Sequence, residues 1–209
     1  MIDEGYIKFN AQWKKGEALP SPFLQPLLQA RQQLYDLKLI GAYENGIGYG
    51  NISRRWNEAG QFVISGSATG NLEQLQEKHF TLVTKVDIEH NTLWCEGPII
   101  ASSESMSHAV IYQECDWVNA VIHVHHLGMW KRLLHQVPTT AASATYGSPE
   151  MAYSITHLLQ TTDLSEKKIF VMEGHEEGVF VFGEDMEDAM GTIKGYLSDW
   201  RRDAPPVAS

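Results

Sequence analysis

The segment 120–126 reads AVIHVHH and places three histidines within and directly after an apolar run. Such a run is typical of a buried strand. Because side chains alternate between the two faces of a strand, His123 and His125 project from one face and His126 from the other. Two imidazoles at this separation can bind one divalent ion. Histidines that only form hydrogen bonds in the core are the alternative, and the adjacent pair on one face favours a metal site.

His175 is the best candidate for a third ligand. It lies in the segment 171–178, VMEGHEEG, at the mouth of a predicted hairpin. Loops that join rigid strands can aim a ligand, although a surface histidine in a turn is the simpler alternative.

Glu104 is the candidate for a fourth ligand. It follows Ser102 and Ser103 at the start of a predicted helix that ends just before the His123 strand. The chain can therefore bring Glu104 back beside that strand, although helix capping explains a carboxylate at this position equally well. His108 lies one turn further along the same helix face and either supports the site or belongs to the core.

Possible anion-binding groups occur at three places in the sequence. They are the two turns of small residues, GIGYGNIS at 46–53 and SGSATG at 65–70, and the pair Ser102 and Ser103. Backbone amides and hydroxyls in glycine loops and at helix starts can hold an anion. Ordinary tight turns between strands are the alternative. Neither segment has the pattern of a P-loop or of a dinucleotide fingerprint. The sequence also lacks the Gly-x-Ser-x-Gly and His-Glu-x-x-His motifs, so it predicts neither a serine hydrolase nor a zincin.

The elements that must position these residues follow from hydrophobic periodicity and from turn signals. Helices are predicted over 25–40, from 102 onwards, and over 129–134, 149–159 and 185–200. Strands are predicted over 61–65, 80–86, 92–95, 120–125, 169–173 and 179–182. Meandering strands mixed with helices predict an α/β fold with three layers rather than a regular parallel βαβ wind.

The composition restricts the class of protein. The chain has 209 residues, of which 43% are hydrophobic and 20% charged, and we expect one domain over 1–209, with 1–20 as an N-terminal extension and 203–209 as a flexible tail. The 16 basic and 26 acidic residues give a net charge of -10, which argues against nucleic acid and anionic membranes as partners.

Two cysteines, Cys95 and Cys115, are too few for a disulfide framework. The start of the sequence lacks the order of a signal peptide, and no apolar run reaches the roughly 20 residues that span a bilayer. We therefore expect a cytoplasmic protein.

Six of these motifs occur in an order that resembles the class II aldolase/adducin family over roughly 25–197. They are GNIS at 50–53, SGSATG at 65–70, SSE at 102–104, HVH at 123–125, YGSPE at 146–150 and GH at 174–175. The resemblance implies a three-layer α/β/α sandwich around a largely antiparallel central sheet. It also implies a homotetramer with active sites at subunit interfaces.

The resemblance further implies roles for individual residues. His123, His125 and His175 look like the family's zinc ligands, with Mn²⁺ or Co²⁺ as other possible ions. Glu104 looks like the carboxylate that binds zinc in the free enzyme and serves as the catalytic acid and base. The positions that hold the substrate phosphate in the family match Asn51, Thr69, Gly70, Ser102 and Ser103.

Two departures from the family pattern stand out. A family tyrosine that donates a proton a few residues after a proline matching Pro138 has no counterpart in 139–145, where Ala142 stands at its position and Tyr146 is the nearest tyrosine. Glu176 and Glu177 also separate His175 from Gly178, where better-known members run directly from histidine to glycine, and this insertion changes the pocket rim.

The resemblance and the residues together predict a zinc-dependent aldolase-type lyase. Its substrate would be a small phosphorylated, sugar-phosphate-like or carboxylated hydroxy-carbonyl compound that reacts through a metal-stabilised enediolate. A sugar-phosphate 4-epimerase of the same family is the first alternative. A non-catalytic, adducin-like interaction module is the second, and the retained histidines and Glu104 argue against it.

Overall fold

The computed structural model describes residues 8–203, which contain ten strands and six α-helices. The strands are β1 (Asn10–Lys15), β2 (Gly41–Ala42), β3 (Gly48–Tyr49), β4 (Asn51–Arg55), β5 (Phe62–Ser65), β6 (Phe80–Asp87), β7 (Thr92–Gly97), β8 (Ala120–His125), β9 (Ile169–Val171) and β10 (Gly178–Gly183). The helices are α1 (Ser21–Asp36), α2 (Ser105–Glu114), α3 (Leu127–Leu133), α4 (Pro149–Thr161), α5 (Leu164–Lys167) and α6 (Met186–Asp203), and a short 3-10 helix covers Glu77–His79. Residues 1–7 of the predicted N-terminal extension and 204–209 of the predicted tail lie outside the described residues, and Asp203 ends α6.

Eight of the strands form one central sheet in the order β1-β7-β6-β5-β4-β8-β10-β9, and β2 pairs with β3 in a separate small sheet. Every neighbouring pair in the large sheet is antiparallel except β1 and β7, which are parallel. The sheet is therefore mixed. The parallel pair of β1 and β7 departs from the expected antiparallel arrangement. After β1 the chain continues through α1 to the middle of the sheet at β4, and it reaches β7 only after β5 and β6.

Helices cover both faces of the large sheet. Alternation along the strands sends Val121, Phe180 and Phe182 into a core beneath α2 and α4, whereas Ile122 and Val179 face a second core beneath α1, α3 and α6. The chain is thus a mixed α/β protein with a large central sheet. Among residues 8–203, no helix is both long and apolar enough to cross a membrane.

The first helix differs from its prediction at both ends. The periodicity predicts a helix over 25–40, but α1 begins at Ser21 with Pro22 in its first turn and ends at Asp36. Proline is well tolerated in a first turn because its missing N–H is not needed there. The helix stops early because Lys38 adopts a left-handed φ of 60°, which a continuing helix does not allow. Two later elements agree more closely with their predictions. Strand β8 matches the predicted strand over 120–125, and α4 contains the predicted helix over 149–159.

Candidate metal centre and anion-binding loops

Strand β8 carries the first two candidate ligands in the middle of the sheet. It lies between β4 and β10, where His123 is paired with Asn51 on one side and with Phe180 on the other. The Phe180 ring stacks on the His123 imidazole with centroids 4.3 Å apart. Cross-strand neighbours point to the same face, so the sheet itself places Asn51 beside the histidines.

Three imidazoles converge at this point. The Nε2 atom of His125 lies 3.0 Å from that of His123 and 3.2 Å from that of His175, and all three side chains are buried. His175 arrives from the turn between β9 and β10. Three nitrogens bound to one tetrahedral zinc at the usual Zn–N distance would lie about 3.3 Å apart. The donor set therefore fits one divalent ion with only small adjustments.

Hydrogen bonds on the opposite side of two rings select the tautomer that such a site needs. The Nδ1 atom of His123 lies 3.2 Å from the carbonyl oxygen of Val179. Because a carbonyl can only accept, Nδ1 must carry the proton, and Nε2 keeps its lone pair. The Nδ1 atom of His125 lies 2.9 Å from the hydroxyl of Tyr43. A hydrogen bond at the ring nitrogen that does not bind the metal is typical of metal-binding histidines.

Burial keeps the three histidines neutral. It lowers the pKa of His123 and of His125 well below the ordinary value, and neighbouring imidazoles lower both further. Burial also lowers the pKa of His175 to about 4. Near neutral pH the cluster therefore presents lone pairs rather than protons, which is the state that binds a cation.

Glu104 joins the cluster from the start of α2. Its Oε1 atom lies 3.9 Å from Nε2 of His175, and its Oε2 atom accepts a hydrogen bond of 3.2 Å from the hydroxyl of Ser107. Although Glu104 is the N-cap residue of α2, its side chain makes no capping hydrogen bond, so helix capping does not explain it. Burial raises the pKa of Glu104 to about 8. This carboxyl group can therefore exchange a proton near neutral pH.

The loop between β5 and the 3-10 helix forms one wall of the same cavity. The hydroxyl of Thr69 donates to the carbonyl of Gly66 at 2.8 Å. Gly70 is packed so closely that a Cβ atom would lie 2.4 Å from the carbonyl oxygen of Gly41. The buried guanidinium of Arg31 donates to the carbonyls of Thr69 and Gly70, both at 3.1 Å. A permanent positive charge thus stands directly behind this loop.

A buried network holds Asn51 in one orientation. The Nε2 atom of His108 lies 2.6 Å from Oδ1 of Asn51, and its Nδ1 atom lies 2.7 Å from the hydroxyl of Ser53, which is in turn 2.8 Å from the hydroxyl of Tyr112. Since Oδ1 accepts, the proton of His108 resides on Nε2 and Nδ1 accepts from Ser53. The amide nitrogen of Asn51 remains to donate elsewhere. His108 thus supports Asn51 rather than the histidine cluster.

All nine residues singled out from the sequence line one cavity. They are Asn51, Thr69, Gly70, Ser102, Ser103, Glu104, His123, His125 and His175. The walls also include Tyr49 and Tyr146, to which the sequence analysis gave no role in the site. Both rings contact the histidines: Tyr49 lies 5.3 Å from His125 and Tyr146 lies 4.7 Å from His175, measured between centroids.

Arg31 was also missed, although the sequence contained a signal for it. It occupies the buried stripe of α1 together with Leu24, Leu27 and Leu34, where an apolar residue is expected. A charged residue is almost never fully buried unless it is paired. An arginine within the apolar face of a helix therefore indicates a buried polar partner, which here is the backbone of the loop 69–73.

Comparisons with solved structures give the same architecture. An L-fuculose 1-phosphate aldolase superposes with a TM-score of 0.62 at 20% identity, covering 92% of each chain. The L-fuculose-1-phosphate aldolase of Thermus thermophilus gives 0.58 at 20% identity, with 90% of this chain and 100% of that chain covered. YgbL of Klebsiella pneumoniae, whose name leaves aldolase, epimerase and decarboxylase activity open, gives 0.64 at 14% identity, with 88% and 90% covered. At these identities the likeness establishes the fold.

No functionally curated protein matches the sequence. The profile of the family described as "Class II Aldolase and Adducin N-terminal domain" matches residues 27–195, which is most of the chain and includes every residue of the candidate site. The chain therefore belongs to the class II aldolase and adducin family.

Proposed function

We propose that this protein is a divalent-metal-dependent lyase of the aldolase type that acts on a small phosphorylated hydroxy-carbonyl compound. The observation that carries the proposal is the convergence of three buried Nε2 atoms and the Glu104 carboxyl group on a cavity whose other wall is a small-residue loop. A metal group next to an anion-binding group matches a substrate with a hydroxy-carbonyl at one end and a phosphate at the other.

His123, His125 and His175 would hold the ion, and zinc is the ion that three neutral imidazoles suit best, with manganese or cobalt as alternatives. When bound, such an ion polarises the carbonyl group and stabilises negative charge that develops on its oxygen. The three neutral imidazoles leave the positive charge of the ion intact.

Glu104 is proposed as the acid and base. Its carboxyl group reaches the same point of the cavity as Nε2 of His175, at 3.9 Å, so it can bind the ion or move a proton at the carbon next to the carbonyl. The hydroxyl of Ser107 steadies the other oxygen of that carboxyl group. Replacing Glu104 with Gln keeps its shape and removes the basic oxygen.

Asn51, Thr69, Gly70, Ser102 and Ser103 are proposed to bind the phosphate, or a carboxylate in its place. The amide of Asn51, which the His108 network orients, supplies one donor. The charge of Arg31 behind the loop adds attraction for an anion without contacting it.

We also propose the domain organisation, the cellular location and the oligomeric state of the protein. We expect residues 1–209 to act as one domain in a cytoplasmic homotetramer, as the family resemblance implies. A small sugar-phosphate-like substrate remains the proposed ligand.

The first test is the metal content of the untagged protein, measured by elemental mass spectrometry. We expect close to one divalent ion per chain in the wild type and much less in His125→Ala, whereas His157→Ala, at an exposed position of α4, should match the wild type. Wild-type protein that takes up no zinc, manganese or cobalt would contradict the proposal.

The second test is aldehyde release from a panel of ketose phosphates, with Glu104→Gln as the variant. We expect release by the wild type, loss of release on chelation, and recovery when the ion is returned. Glu104→Gln should retain the metal and lose at least a hundredfold in kcat. Interconversion of two sugar phosphates without release of aldehyde would instead support the epimerase, which can use the same residues.

A further inference from the structure

Glu177 occupies an unusual backbone position beside the histidine cluster. It is the last residue of the turn between β9 and β10, directly before Gly178, and its φ is +73°. This left-handed conformation is unfavourable for residues other than glycine. The carbonyl of Glu177 accepts a hydrogen bond of 3.0 Å from the amide of His126, so the C-terminal end of the turn is fixed beside the end of β8.

The side chain of Glu177 reaches His125 through one intervening group. The hydroxyl of Tyr43 donates to Oε2 of Glu177 at 2.9 Å and lies 2.9 Å from Nδ1 of His125. Oε2 and Nδ1 are themselves 3.9 Å apart, which is too far for a direct hydrogen bond. Because the tyrosine gives its only proton to the carboxylate, its oxygen must accept from the protonated Nδ1 of His125.

Tyr43 is held in place independently of this contact. Its amide donates to the carbonyl of Ile47 at 2.9 Å, and its own carbonyl accepts from the amide of Gly46 at 2.8 Å. Its ring packs on Tyr49 at 4.7 Å between centroids, and Tyr49 in turn packs on His125 at 5.3 Å. The hydroxyl is therefore presented to Nδ1 by an ordered loop.

We propose that Glu177 and Tyr43 are positioning residues that form a relay to His125 and set how tightly the metal centre holds its ion. The relay fixes the ring and keeps its proton on Nδ1. The carboxylate at its far end makes Nε2 a stronger donor, as carboxylates behind metal-binding histidines do. His123 has the backbone carbonyl of Val179 in the corresponding place, so the side-chain relay distinguishes His125 from His123.

This inference rests on the proposed metal centre, and its test is the dissociation constant for zinc. The constant is measured on metal-free, untagged full-length protein by competition with a chromophoric chelator at constant pH. We expect Glu177→Gln and Tyr43→Phe each to weaken zinc binding by about 10- to 100-fold. The double variant should be no weaker than the weaker single variant, because either change alone disconnects the relay.

Glu176→Gln is the matched control, since it removes the same charge from the neighbouring, exposed residue. We expect it to bind zinc like the wild type. Equal weakening by Glu176→Gln and Glu177→Gln would overturn the relay and leave only a general effect of negative charge. A spectroscopic readout supports the comparison: the visible absorption of the cobalt-loaded protein should change in Glu177→Gln and not in Glu176→Gln.

The variant Glu177→Gly tests whether zinc affinity can fall without a loss of protein stability. Glycine accepts a φ of +73° without strain, so the melting temperature of the metal-free variant should not fall. Zinc binding should nevertheless weaken as in Glu177→Gln. If the wild type itself binds no zinc, the metal centre and the proposed lyase fail. If the wild type binds zinc and Glu177→Gln, Tyr43→Phe, the double variant and Glu177→Gly all bind it equally well, only the relay fails.

Discussion

His108 provides a direct test of the buried network, because burial lowers its pKa from 6.5 to about 3. In the folded protein it stays neutral while it accepts from Ser53 and donates to Asn51. In the unfolded chain it takes up a proton near pH 6.5. The unfolded state therefore binds more protons between about pH 6.5 and pH 3, and the free energy of unfolding must fall as the pH is lowered through that range.

The magnitude follows from the size of the shift. One such group lowers the free energy of unfolding by about 1.4 kcal/mol for each pH unit, once the pH is well below 6.5. Between pH 7 and pH 5 the cumulative loss is about 2 kcal/mol. The effect is absent above about pH 7, where His108 is neutral in both states.

The variant His108→Gln removes the titration while its amide can still donate toward Asn51. Urea unfolding of the metal-free protein, followed by tryptophan fluorescence at pH 7, 6 and 5, gives the free energy of unfolding for both proteins. We expect the wild type to lose about 2 kcal/mol more than the variant between pH 7 and pH 5. The histidines of the cavity also titrate in metal-free protein, but both proteins contain them, so their effect cancels in the difference.

The control is His157→Gln, which makes the same chemical change at an exposed position of α4. Wild-type and His108→Gln proteins whose stabilities run parallel from pH 7 to pH 5 would refute the reasoning. They would show that His108 is charged in the folded protein or open to water, and the orientation assigned to Asn51 would then be unsupported.

Two further predictions concern the proposed anion-binding loop. Thr69→Leu removes a hydroxyl and adds bulk to the cavity wall, so the affinity for inorganic phosphate, measured by isothermal titration, should fall roughly tenfold with unchanged metal content; unchanged phosphate affinity would remove Thr69 from the site. Gly70→Ala places a Cβ atom 2.4 Å from the carbonyl of Gly41 and 2.8 Å from the amide nitrogen of Tyr49. It should lower the free energy of urea unfolding by about 1–3 kcal/mol, whereas Gly191→Ala, in an open part of α6, should raise it by roughly 0.5–1 kcal/mol.

The elements that carry the candidate ligands were predictable because their signals are local. The apolar alternation of 120–125 gives both the strand and the shared face of His123 and His125. The polar interval after 80–86 gives the antiparallel pair β6 and β7. Neither inference requires knowledge of a distant partner.

Four strands, β1 to β4, were not predicted, and the character of two of them, β1 and β4, depends on distant partners. Strand β1 reads NAQWKK and is largely exposed, so it has no apolar alternation, and it becomes a strand only by pairing with β7. Strand β4 is central, yet its second half reads SRR. Ser53 is tolerated in the core only because His108 and Tyr112 satisfy its hydroxyl.

The same distinction applies to the candidate metal centre, where local sequence predicts one part of the arrangement and not the other. Side-chain alternation indicates which imidazoles can meet, but it does not indicate which nitrogen of each ring carries the proton. That choice depends on Val179 and Tyr43, which reach the rings through strand pairing and through a separate loop. Glu177 adds a carboxylate from a third part of the chain. The candidate ligands can therefore be identified from local sequence, whereas the proposed control of their strength depends on contacts that only the folded chain creates.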